Sequence, residues 1–546
     1  FSSESRHEII TRLQNEPLDV LVIGGGITGA GIALDAQVRG LKVGLVEMQD
    51  FAAGTSSRST KLIHGGLRYL KQFEFKLVSE VGKERAIVYE NAPHVTTPAK
   101  MLLPVYKDGT FRKLSMSLGL KLYDTLADVP KDERRFMLSK RQTLKEEPLL
   151  RADKLKGSGM YVEYQTDDAR LTIEILKEAV RRGAIAVNYV KAESLLYERG
   201  QAVGAIVVDQ LTNEAFKIYA KKIINATGPW LDLLREQDRS LTDKTITLSK
   251  GVHIVVPWSK FPLRHAVYFE TKTDGRLIFA IPREDKTYIG TTDTPYEGDI
   301  AKPRLTTAEL DYLLAAVNHT FPSVKLQRED LESSWAGLRP LIYEKKKSTS
   351  AMSRKDEMIV SESGLISIAG GKLTGYRKMA ERVVDFVCEQ LGIEKQSETE
   401  QITLSGGYVG GAKGFQIFKI KKLEEGVSLG LSEKETDLLI KRYGSNVSKI
   451  FTKITAFQKK AESYRLSPSV YAQLRYGIEE EMVQTPADFF IRRTGALYFH
   501  IDWVKRWKDA VIYYMNDCFQ WTEKEREKYT RELEEEIYVA THPVDG

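Results

Sequence analysis

Apolar and small residues follow a strand–helix–strand pattern near the start of the chain. Val20–Ile23 and Val43–Val46 are continuous apolar runs, which are typical of parallel strands buried on both faces. Between them, Ala30, Gly31 and Ala33 lie on a helical pattern, and their small side chains let a helix approach a sheet closely. These segments predict one β-strand–α-helix–β-strand unit.

Farther along the chain, apolar and polar residues alternate as they do in antiparallel strands. The predicted meander comprises Ala184–Val190, Ala192–Tyr197, Ala202–Asp209 and Ala215–Tyr219. Separate buried strands are predicted at Lys222–Ala226 and Leu365–Ala369. The strands predicted for another, substrate-carrying sheet are Gly251–Pro257, Ala266–Glu270, Leu277–Pro282 and Thr287–Thr291.

Two regions have patterns that predict helices on the outside of the molecule. The segment Phe111–Asp128 predicts a helix that turns one apolar face to the core, and a helix lying on a membrane surface is the alternative. Its apolar positions are Leu114, Leu118, Leu122 and Leu126. From Ala412 to Gly546 the chain is charged and helical and carries no catalytic signature. This part predicts a helical cap that packs on the other domains or on a partner.

Composition limits the class of protein. A chain of 546 residues exceeds a single core, and 42% hydrophobic with 29% charged residues is ordinary for a soluble protein. Cys388 and Cys518 are far apart, which indicates a reducing compartment and neither a disulfide framework nor a metal site. A net charge of +6 does not indicate nucleic acid binding but suits an anionic substrate or an acidic membrane surface. Without a signal peptide pattern or a run of 18 apolar residues, we expect a protein that is neither secreted nor membrane-spanning.

The turn after the first predicted strand has the features of a dinucleotide site. Gly24, Gly26 and Gly29 occupy the positions of a GxGxxG motif, and Glu47 ends the second strand. Such glycines allow a tight turn and close approach of the backbone to a pyrophosphate, while the acid can accept hydrogen bonds from a ribose. A plain tight turn is the alternative, but the order of strand, turn, helix, strand and acid favours dinucleotide binding. The acid argues against NADP.

Three later segments add to this prediction. The loop Ala52–Leu70 combines hydroxyl groups, glycines and cations, which suits a loop wrapped over a pyrophosphate better than a flexible linker. Asn225–Trp230 follows a buried strand with the letters NATGPW, which favours FAD over NAD beside the first unit. Gly370–Thr374 forms another turn between a strand and a helix, so the dinucleotide domain is completed only after a long insertion.

These patterns predict an α/β fold: an FAD-binding Rossmann-like domain with an inserted antiparallel-sheet substrate domain and an all-helical C-terminal domain. The segments predicted for the FAD-binding domain are 1–98, 161–240 and 355–395. The segments predicted for the substrate domain are 99–160 and 241–354, and residues 396–546 form the helical domain.

Several of these segments together resemble the FAD-dependent glycerol-3-phosphate dehydrogenases, within the D-amino-acid-oxidase-like flavoproteins of the glutathione-reductase fold type. The matching segments are GGGITGAGIALDAQVRGLKVGLVE, GTSSRSTKLIHGGLRYL, NATGPW, KGVHIVV, GTTDTPYEGD, WAGLRPL and AGGKLTGYRKMAE. The resemblance extends from Leu18 to Ile537. It implies oxidation of sn-glycerol 3-phosphate to dihydroxyacetone phosphate, with hydride transfer to noncovalent FAD and electrons passed to membrane quinone. It also implies a cytoplasmic protein attached peripherally to the inner face of the cytoplasmic membrane, and leaves a homodimer open.

The resemblance also assigns residues to the cofactor. Those implied for the ADP half are Gly24, Gly26, Ile27, Thr28, Gly29, Glu47, Val190 through its backbone, and Gly228. Those implied for the pyrophosphate, the ribityl chain and the flavin are Ser56, Ser57, Thr60, Lys61, Leu62, His64, Gly371 and Leu373. His64 could suggest a covalent link to the flavin, as some relatives have, but its context here resembles the noncovalent members.

For substrate and catalysis the resemblance implies a second set. Arg68, Tyr69, Arg354 and Thr374 are implied for substrate binding, and His253, Arg339 and Lys372 for catalysis. A phosphate monoester is held best by guanidinium groups, and a base that titrates near neutral pH favours histidine. Taken singly, an arginine here would more often form a surface salt bridge, and His253 could equally be a structural histidine.

Other functions stay open at this point. The main alternative is a glycerol-3-phosphate oxidase that passes electrons to oxygen and produces hydrogen peroxide, although the added segment of such oxidases is not evident here. An amine or amino-acid oxidase would need one carboxylate-binding arginine rather than several cations. A non-enzymatic FAD-binding module would make the set of Arg339, Lys372 and His253 accidental.

Overall fold

The computed structural model describes residues 1–64, 75–109, 113–126, 129, 133–344 and 356–545. Its strands are β1 Leu18–Ile23, β2 Val43–Val46, β3 Leu62–Ile63, β4 Thr96–Tyr106, β5 Phe136–Ser139, β6 Leu155–Thr166, β7 Ile185–Val187, β8 Val190–Glu198, β9 Gln201–Asp209, β10 Ala215–Asn225, β11 Lys244–Pro257, β12 Ala266–Glu270, β13 Leu277–Arg283, β14 Lys286–Gly290, β15 Thr294–Pro295, β16 Ser333–Glu344, β17 Glu357–Val360 and β18 Ile366–Ala369.

The helices are α1 Arg6–Asn15, α2 Ile27–Val38, α3 Phe75–Asn91, α4 Lys113–Leu126, α5 Lys140–Glu146, α6 Asp168–Arg181, α7 Leu231–Gln237, α8 Thr307–Thr320, α9 Tyr376–Leu391, α10 Gly411–Ser428, α11 Glu433–Tyr443, α12 Val447–Ala456, α13 Gln458–Ser463, α14 Pro468–Glu480, α15 Ala496–Phe499, α16 Ile501–Phe519 and α17 Glu523–Thr541. Short 3₁₀ turns lie at Thr55–Ser57 and Leu373–Gly375, and a π-helical turn at Asp488–Arg493.

The first sheet is built around the predicted strand–helix–strand unit. Its strand order is β17-β18-β10-β1-β2-β7, and β18, β10, β1, β2 and β7 run parallel. The helices α2, α6 and α9 pack with these strands in one apolar core, which explains why the strands are apolar on both faces. The parallel strands bring their carboxyl ends, and thus Gly24 and Glu47, to the same edge of the sheet.

Two strand predictions were wrong. The first segment of the predicted antiparallel meander, Ala184–Val190, contains β7, which pairs parallel with β2, and its last residue already begins β8. Ala215–Tyr219 and Lys222–Ala226 are not separate strands but parts of the continuous strand β10. Its first half pairs antiparallel with β9 and its second half pairs parallel with β1. A lysine pair, Lys221 and Lys222, interrupts the apolar pattern and resembles a turn in sequence, but in the sheet a strand can carry such residues on its solvent side.

The second sheet carries the inserted region. Its ten strands follow the order β15-β11-β14-β13-β12-β4-β6-β3, with β16 beside β11 and β5 beside β6. The long antiparallel pair β11–β16 aligns His253 with Trp335 and Ser249 with Arg339. The short strand β3, which belongs to the predicted first FAD-binding segment, pairs with β6 in this sheet. The exact segment boundaries stay a prediction.

The region from α10 to α17 is helical, as predicted, and it packs on the second sheet. Trp335 of β16 contacts Tyr498 and Phe499, with ring centroids 5.2 and 5.6 Å apart, in a core that both regions share. Two buried serines on the same strand donate hydrogen bonds across this boundary, Ser333 to the Tyr498 carbonyl and Ser334 to the Ala540 carbonyl. The helical region therefore supports the sheet from behind.

One position of the predicted core face of α4 is exposed. Met116, Leu120 and Tyr123 are buried, whereas Leu122, which the pattern placed on the core face, is 38% exposed. The side chains of Leu114, Leu118 and Leu126 lie outside the described part of the structure, so the rest of this face stays a prediction. Strand β6 and helix α3 pack against α4. In the part of the chain that the structure describes, no helix is long and apolar enough to cross a membrane.

Candidate active site

The glycine turn after β1 is shaped by the close approach of backbone to backbone. Gly24 has a φ of +112°, which L-residues with a side chain rarely adopt, and a Cβ at Gly29 would collide with the Gly24 carbonyl oxygen. Helix α2 therefore begins at Ile27 directly against the strand, with the backbone N–H groups of its first turn at the carboxyl edge of the sheet. This is the geometry that a pyrophosphate needs.

Glu47 closes the other side of this turn. Its two carboxylate oxygens accept hydrogen bonds from the Gly25 and Gln49 backbone N–H groups, at 2.7 and 2.8 Å. Burial raises the pKa of Glu47 above its ordinary value. The Val190 N–H donates to the Glu47 carbonyl at 2.7 Å, so the backbone implied for the adenine lies next to the acid implied for the ribose.

The loop that contains Ser56, Ser57 and Lys61 folds over the start of α2. The Ser56 hydroxyl accepts a hydrogen bond from the Ile27 N–H at 2.9 Å. The Ser57 hydroxyl is buried and has no hydrogen-bond partner among the described residues, so it suits an oxygen of a bound cofactor. The residues present thus fit a dinucleotide.

Gly228 lies three residues after the end of β10. It has a φ of +57° and open space around its Cβ position.

Lys61 has a contact that the sequence did not indicate. Its ammonium group donates to Asp168 Oδ1 at 2.6 Å and to the Ser57 carbonyl at 2.9 Å, and it lies 5.3 Å from the centre of the Trp335 ring. Asp168, at the start of α6, also accepts a hydrogen bond from the Ser59 hydroxyl. The lysine side chain therefore fixes the loop to α6. Its backbone is engaged as well, because its N–H donates to the Ser59 hydroxyl and its carbonyl accepts from the Thr166 N–H, both at 2.9 Å. A cofactor contact of Lys61 stays a prediction.

A cavity of about 620 Å³ lies between this loop and the second sheet. It collects most of the residues proposed for the flavin and for catalysis: Thr60, Leu62, His64, His253, Arg339, Gly371, Lys372, Leu373 and Thr374. Arg68, Tyr69 and Arg354 lie outside the described residues. The roles of all these residues stay predictions, but the cavity is where the chain brings them together.

His253 is deeply buried at the wall of this cavity. Its ring is 2% exposed and stacks on Trp335 at 4.9 Å between centroids, and its Nε2 atom lies 3.0 Å from the Thr60 hydroxyl. Its Nδ1 atom has no partner among the described residues. Burial, followed by the charges of Arg339 and Lys61, lowers the pKa of His253 well below its ordinary value. The imidazole is therefore neutral, but it does not titrate near neutral pH as the sequence argument expected, because burial disfavours its charged form.

Arg339 reaches the same cavity from β16. Its Nη2 atom donates to the Thr291 hydroxyl at 3.0 Å, and its Nη1 atom lies 3.4 Å from Asp293 Oδ1. A Cβ at Gly251, on the facing strand, would lie 2.4 Å from Arg339 Nη2, so a larger residue there would displace the guanidinium group. The arginine is 29% exposed and presents its charge to the cavity.

Sequence reasoning did not select two charged residues of this wall. Arg276 lines the cavity and lies 2.9 Å from Asp293, which also contacts Arg339. Although burial opposes it, a hydrogen bond from Ser249 and the two arginines lower the pKa of Asp293. Asp293 lies within the quoted segment GTTDTPYEGD, but Arg276 stands in a turn with no motif, and only the sheet brings it here.

The turn after β18 closes the cavity. Gly370 and Gly371 have φ values of +72° and +90°, and they lead into the 3₁₀ turn before α9. The Thr374 hydroxyl accepts from the His64 N–H at 3.0 Å and donates to the His64 carbonyl at 3.2 Å. These bonds tie the loop that follows β3 to the turn that carries Lys372, so that both line one space. Noncovalent attachment of the flavin stays a prediction.

A group of potential metal ligands lies elsewhere. Among the described residues, Glu284, Asp285 and His500 each place one potential ligand atom within 4.8 Å of the others. The sequence has no metal-ligand spacing in this region, and exposed acidic groups of this kind are common without an ion.

Two family models match this chain. The model described as FAD dependent oxidoreductase matches residues 19–377, and the model described as C-terminal domain of alpha-glycerophosphate oxidase matches residues 397–526. The first match spans both sheets and the cavity, and the second covers most of the helical region. The cofactor of the chain is thus FAD, in agreement with the glycine turn and Glu47.

Relatives that match the chain over its full length show to which family within the FAD dependent oxidoreductases it belongs. The chain is 56% identical to an aerobic glycerol-3-phosphate dehydrogenase of Bacillus subtilis, covering 100% of this chain and 99% of the relative, and 52% identical to one of Staphylococcus aureus, covering 99% and 98%. The crystal structure of a glycerol-3-phosphate dehydrogenase from Bacillus halodurans complexed with FAD matches with a TM-score of 0.88 at 53% identity, covering 100% and 99%. The chain belongs to the FAD dependent oxidoreductases and, within them, to the family of FAD-dependent glycerol-3-phosphate dehydrogenases.

Proposed function

We propose that the protein oxidises sn-glycerol 3-phosphate to dihydroxyacetone phosphate by hydride transfer to FAD, and that its electrons pass to a membrane quinone. The observation that carries the proposal is the presence of His253, Arg339, Arg276 and Lys372 around one cavity. A neutral base and several cations suit a substrate that combines a hydroxyl group with a phosphate of nearly two negative charges. The names of the Bacillus and Staphylococcus relatives support this substrate.

In the proposed reaction, His253 accepts the hydroxyl proton at Nε2, beside the Thr60 hydroxyl. Because its low pKa keeps the imidazole neutral, no proton has to leave before the substrate binds. Arg339 stabilises the negative charge that develops on the substrate oxygen. When bound, FAD would supply the hydride acceptor for C2, and Lys372, which lines the cavity, would add a positive charge beside that acceptor.

The phosphate is held by guanidinium groups in this proposal. Arg276 and Arg339 lie on either side of Asp293, which fixes their positions and compensates part of their charge. Arg354, Arg68 and Tyr69 remain part of the proposed substrate site, together with Thr374. Binding of the remote phosphate positions C2 for the transfer.

Delivery of electrons to quinone requires contact with the inner face of the cytoplasmic membrane. Helix α10 offers a surface for it, because Ile417 and Ile420 are 61% and 63% exposed and Lys413 and Lys421 are exposed beside them. Isoleucines flanked by lysines suit an anionic lipid surface.

Helix α4, the segment proposed from sequence, is a second candidate surface, because Lys121 and Leu122 are also exposed. A homodimer stays open.

An oxidase that produces hydrogen peroxide is the second candidate, because the model that matches the helical region is described by the name of an oxidase. An anaerobic experiment separates the two. Glycerol 3-phosphate is added to the purified holoprotein, the flavin absorbance is followed, and air is then admitted while peroxide is measured.

We expect glycerol 3-phosphate to bleach the flavin band and air to restore it slowly with little peroxide, while a soluble quinone restores it quickly. Rapid reoxidation with stoichiometric peroxide would show the oxidase instead. An unbleached flavin would refute the substrate assignment, and sn-glycerol 1-phosphate serves as the matched control ligand because it carries the same groups with the opposite configuration at C2.

A further inference from the structure

A second cavity, of about 170 Å³, lies between the second sheet and the helical region. Its walls include His94 before β4, Arg283 at the end of β13, and Lys441 and Arg442 on α11. None of the residues that line it also lines the first cavity. It is therefore a separate space, and the proposed reaction makes no use of it.

Arg442 is a buried cation without a carboxylate partner. Its side chain is almost fully enclosed, and its guanidinium group donates to the Gln473 side-chain oxygen at 2.5 Å and to the Thr494 carbonyl at 2.6 Å. Both acceptors are neutral, and in the described part of the chain no carboxylate lies within salt-bridge distance of it. A buried charge is costly unless it is paired, so a bound anion would stabilise this arginine.

His94 is a second unpaired group at the same wall. It is 2% exposed, and neither of its ring nitrogens has a hydrogen-bond partner among the described residues. Buried polar groups in native structures nearly always have a partner, and a neutral imidazole has one N–H donor to offer. Both nitrogens are enclosed by protein, with Gly406 packed against Nε2, so His94 shapes the wall of the cavity and does not donate into it.

The remaining charges of the wall cancel one another. Lys441 and Arg283 add two cations, whereas Asp167 and Glu284 add two carboxylates. Arg283 lies 3.8 Å from Asp167, and Lys441 is paired with Asp437 at 2.7 Å. Although burial opposes it, a hydrogen bond from His500 and the charges of His500, Arg283 and Arg442 lower the pKa of Glu284 to about 2. Arg442 thus adds a positive charge that the carboxylates of this wall do not cancel.

We propose that this cavity binds a small oxyanion, with inorganic phosphate as its simplest form. Arg442 holds the charge, and Lys441, whose ammonium group is also paired with Asp437, adds a second donor at the wall. The volume equals that of about six water molecules, which leaves room for a phosphate ion but not for a nucleotide. Arginine and lysine are donors that tetrahedral oxyanions prefer.

Equilibrium dialysis of the holoprotein against ³²P-phosphate tests this site. To remove phosphate bound at the proposed substrate site, the measurement is made in an Arg276→Gln background, since Arg276 lines only the first cavity. We expect one equivalent of phosphate to remain bound. Adding Lys441→Gln weakens this binding by roughly threefold or more, because one charged donor is lost, and adding Arg442→Gln abolishes it.

Lys434→Gln is the matched control, because Lys434 lies on the same helix, is 69% exposed and does not line the cavity. It should leave the phosphate affinity unchanged. The lysine variant decides the question even if Arg442→Gln does not fold, since the Lys441 side chain is 41% exposed. Loss of all bound phosphate in the Arg276→Gln background, or equal affinity in the Lys441→Gln and Lys434→Gln proteins, would overturn the proposal without affecting the proposed dehydrogenase activity.

Discussion

The surroundings of His253 include side chains from three parts of the chain. Trp335 of β16 stacks on its ring, Thr60 of the loop bonds its Nε2 atom, and Tyr498 and Phe499 of the helical region support the tryptophan from behind. Each of these contacts restricts the rotation of the ring. A proposed base is thus held in one orientation by groups that are distant in sequence.

We predict that His253→Gln lowers the rate constant of anaerobic flavin reduction by about 10²-fold or more, with little change in the apparent dissociation constant of the substrate. Glutamine can keep a hydrogen bond to Thr60 but cannot accept the proton. Stopped-flow absorbance at the flavin band measures both constants. If the glutamine variant loses less than about tenfold, a bound water or another group takes the proton.

The pH profile of the same step follows from the direction of the pKa shift. Because burial and two cations lower the pKa of His253 well below 6.5, its protonation removes the base only well below that pH. Flavin reduction in the wild-type protein should therefore show no loss of rate centred near pH 6.5. The exposed His7, changed to Gln, is the matched control and should leave the rate and the profile unchanged.

At the scale of elements, a buried cluster joins the segment after β2 to the π-helical turn. Asp50 is 1% exposed and contacts both Arg492 and Arg493, with both Nη atoms of Arg493 at 2.8 Å from its oxygens. Asn188 donates to it as well, at 2.9 Å. Although burial opposes it, the two arginines lower the pKa of Asp50 to about 2.

We predict that Asp50→Asn destabilises the protein by about 3–5 kcal/mol, because it leaves two buried guanidinium groups with less negative charge. The midpoint of denaturant unfolding at saturating FAD measures this effect. Asp311→Asn is the control, since Asp311 forms an exposed ion pair with Arg328 and its loss should leave the unfolding midpoint nearly unchanged. Equal midpoints for the two variants would contradict the assigned role of Asp50.

The same cluster has a pH signature. The folded pKa of Asp50, about 2, lies below the ordinary value of about 3.9, so its ionisation adds stability that is fully present above about pH 4. This contribution is lost as the pH falls toward 2. The difference in stability between the wild-type and Asp50→Asn proteins should therefore shrink over that range.

At the scale of the whole molecule, the exposed apolar residues allow a test of the membrane proposal. We predict that Ile417→Ser with Ile420→Ser lowers co-sedimentation with anionic vesicles by roughly tenfold or more, because two isoleucines lose apolar burial in the lipid. Lys121→Gln with Leu122→Ser tests α4 in the same assay. Val360→Ser, at an exposed apolar position on β17, is the control. Unchanged binding in both double variants would exclude these two surfaces.

The sequence alone determined the parts of this protein that depend on neighbouring residues. The parallel unit around Gly24 and Glu47, the alternating strands and the helical C-terminal region follow from local periodicity and from glycines with fixed conformational tasks. His253, Arg339 and Lys372 came from the quoted family segments, and the cavity brings all three together.

The tertiary structure decided which residues are buried and which partners they contact, because local patterns in the sequence do not contain this information. The apolar spacing on α4 placed Leu122 on the core face although it is exposed, because a helix buries whichever side its neighbours fill. Strand β10 runs through a polar interruption because two different partner strands pair with it. No sequence pattern indicates the position of Arg276 in the cavity or the contact between Lys61 and Asp168. The same holds for Arg442 and His94, which are buried without a charged partner. Their burial and partners come from strands and helices far apart in the chain, and packing alone sets the electrostatic environment that gives each its chemistry.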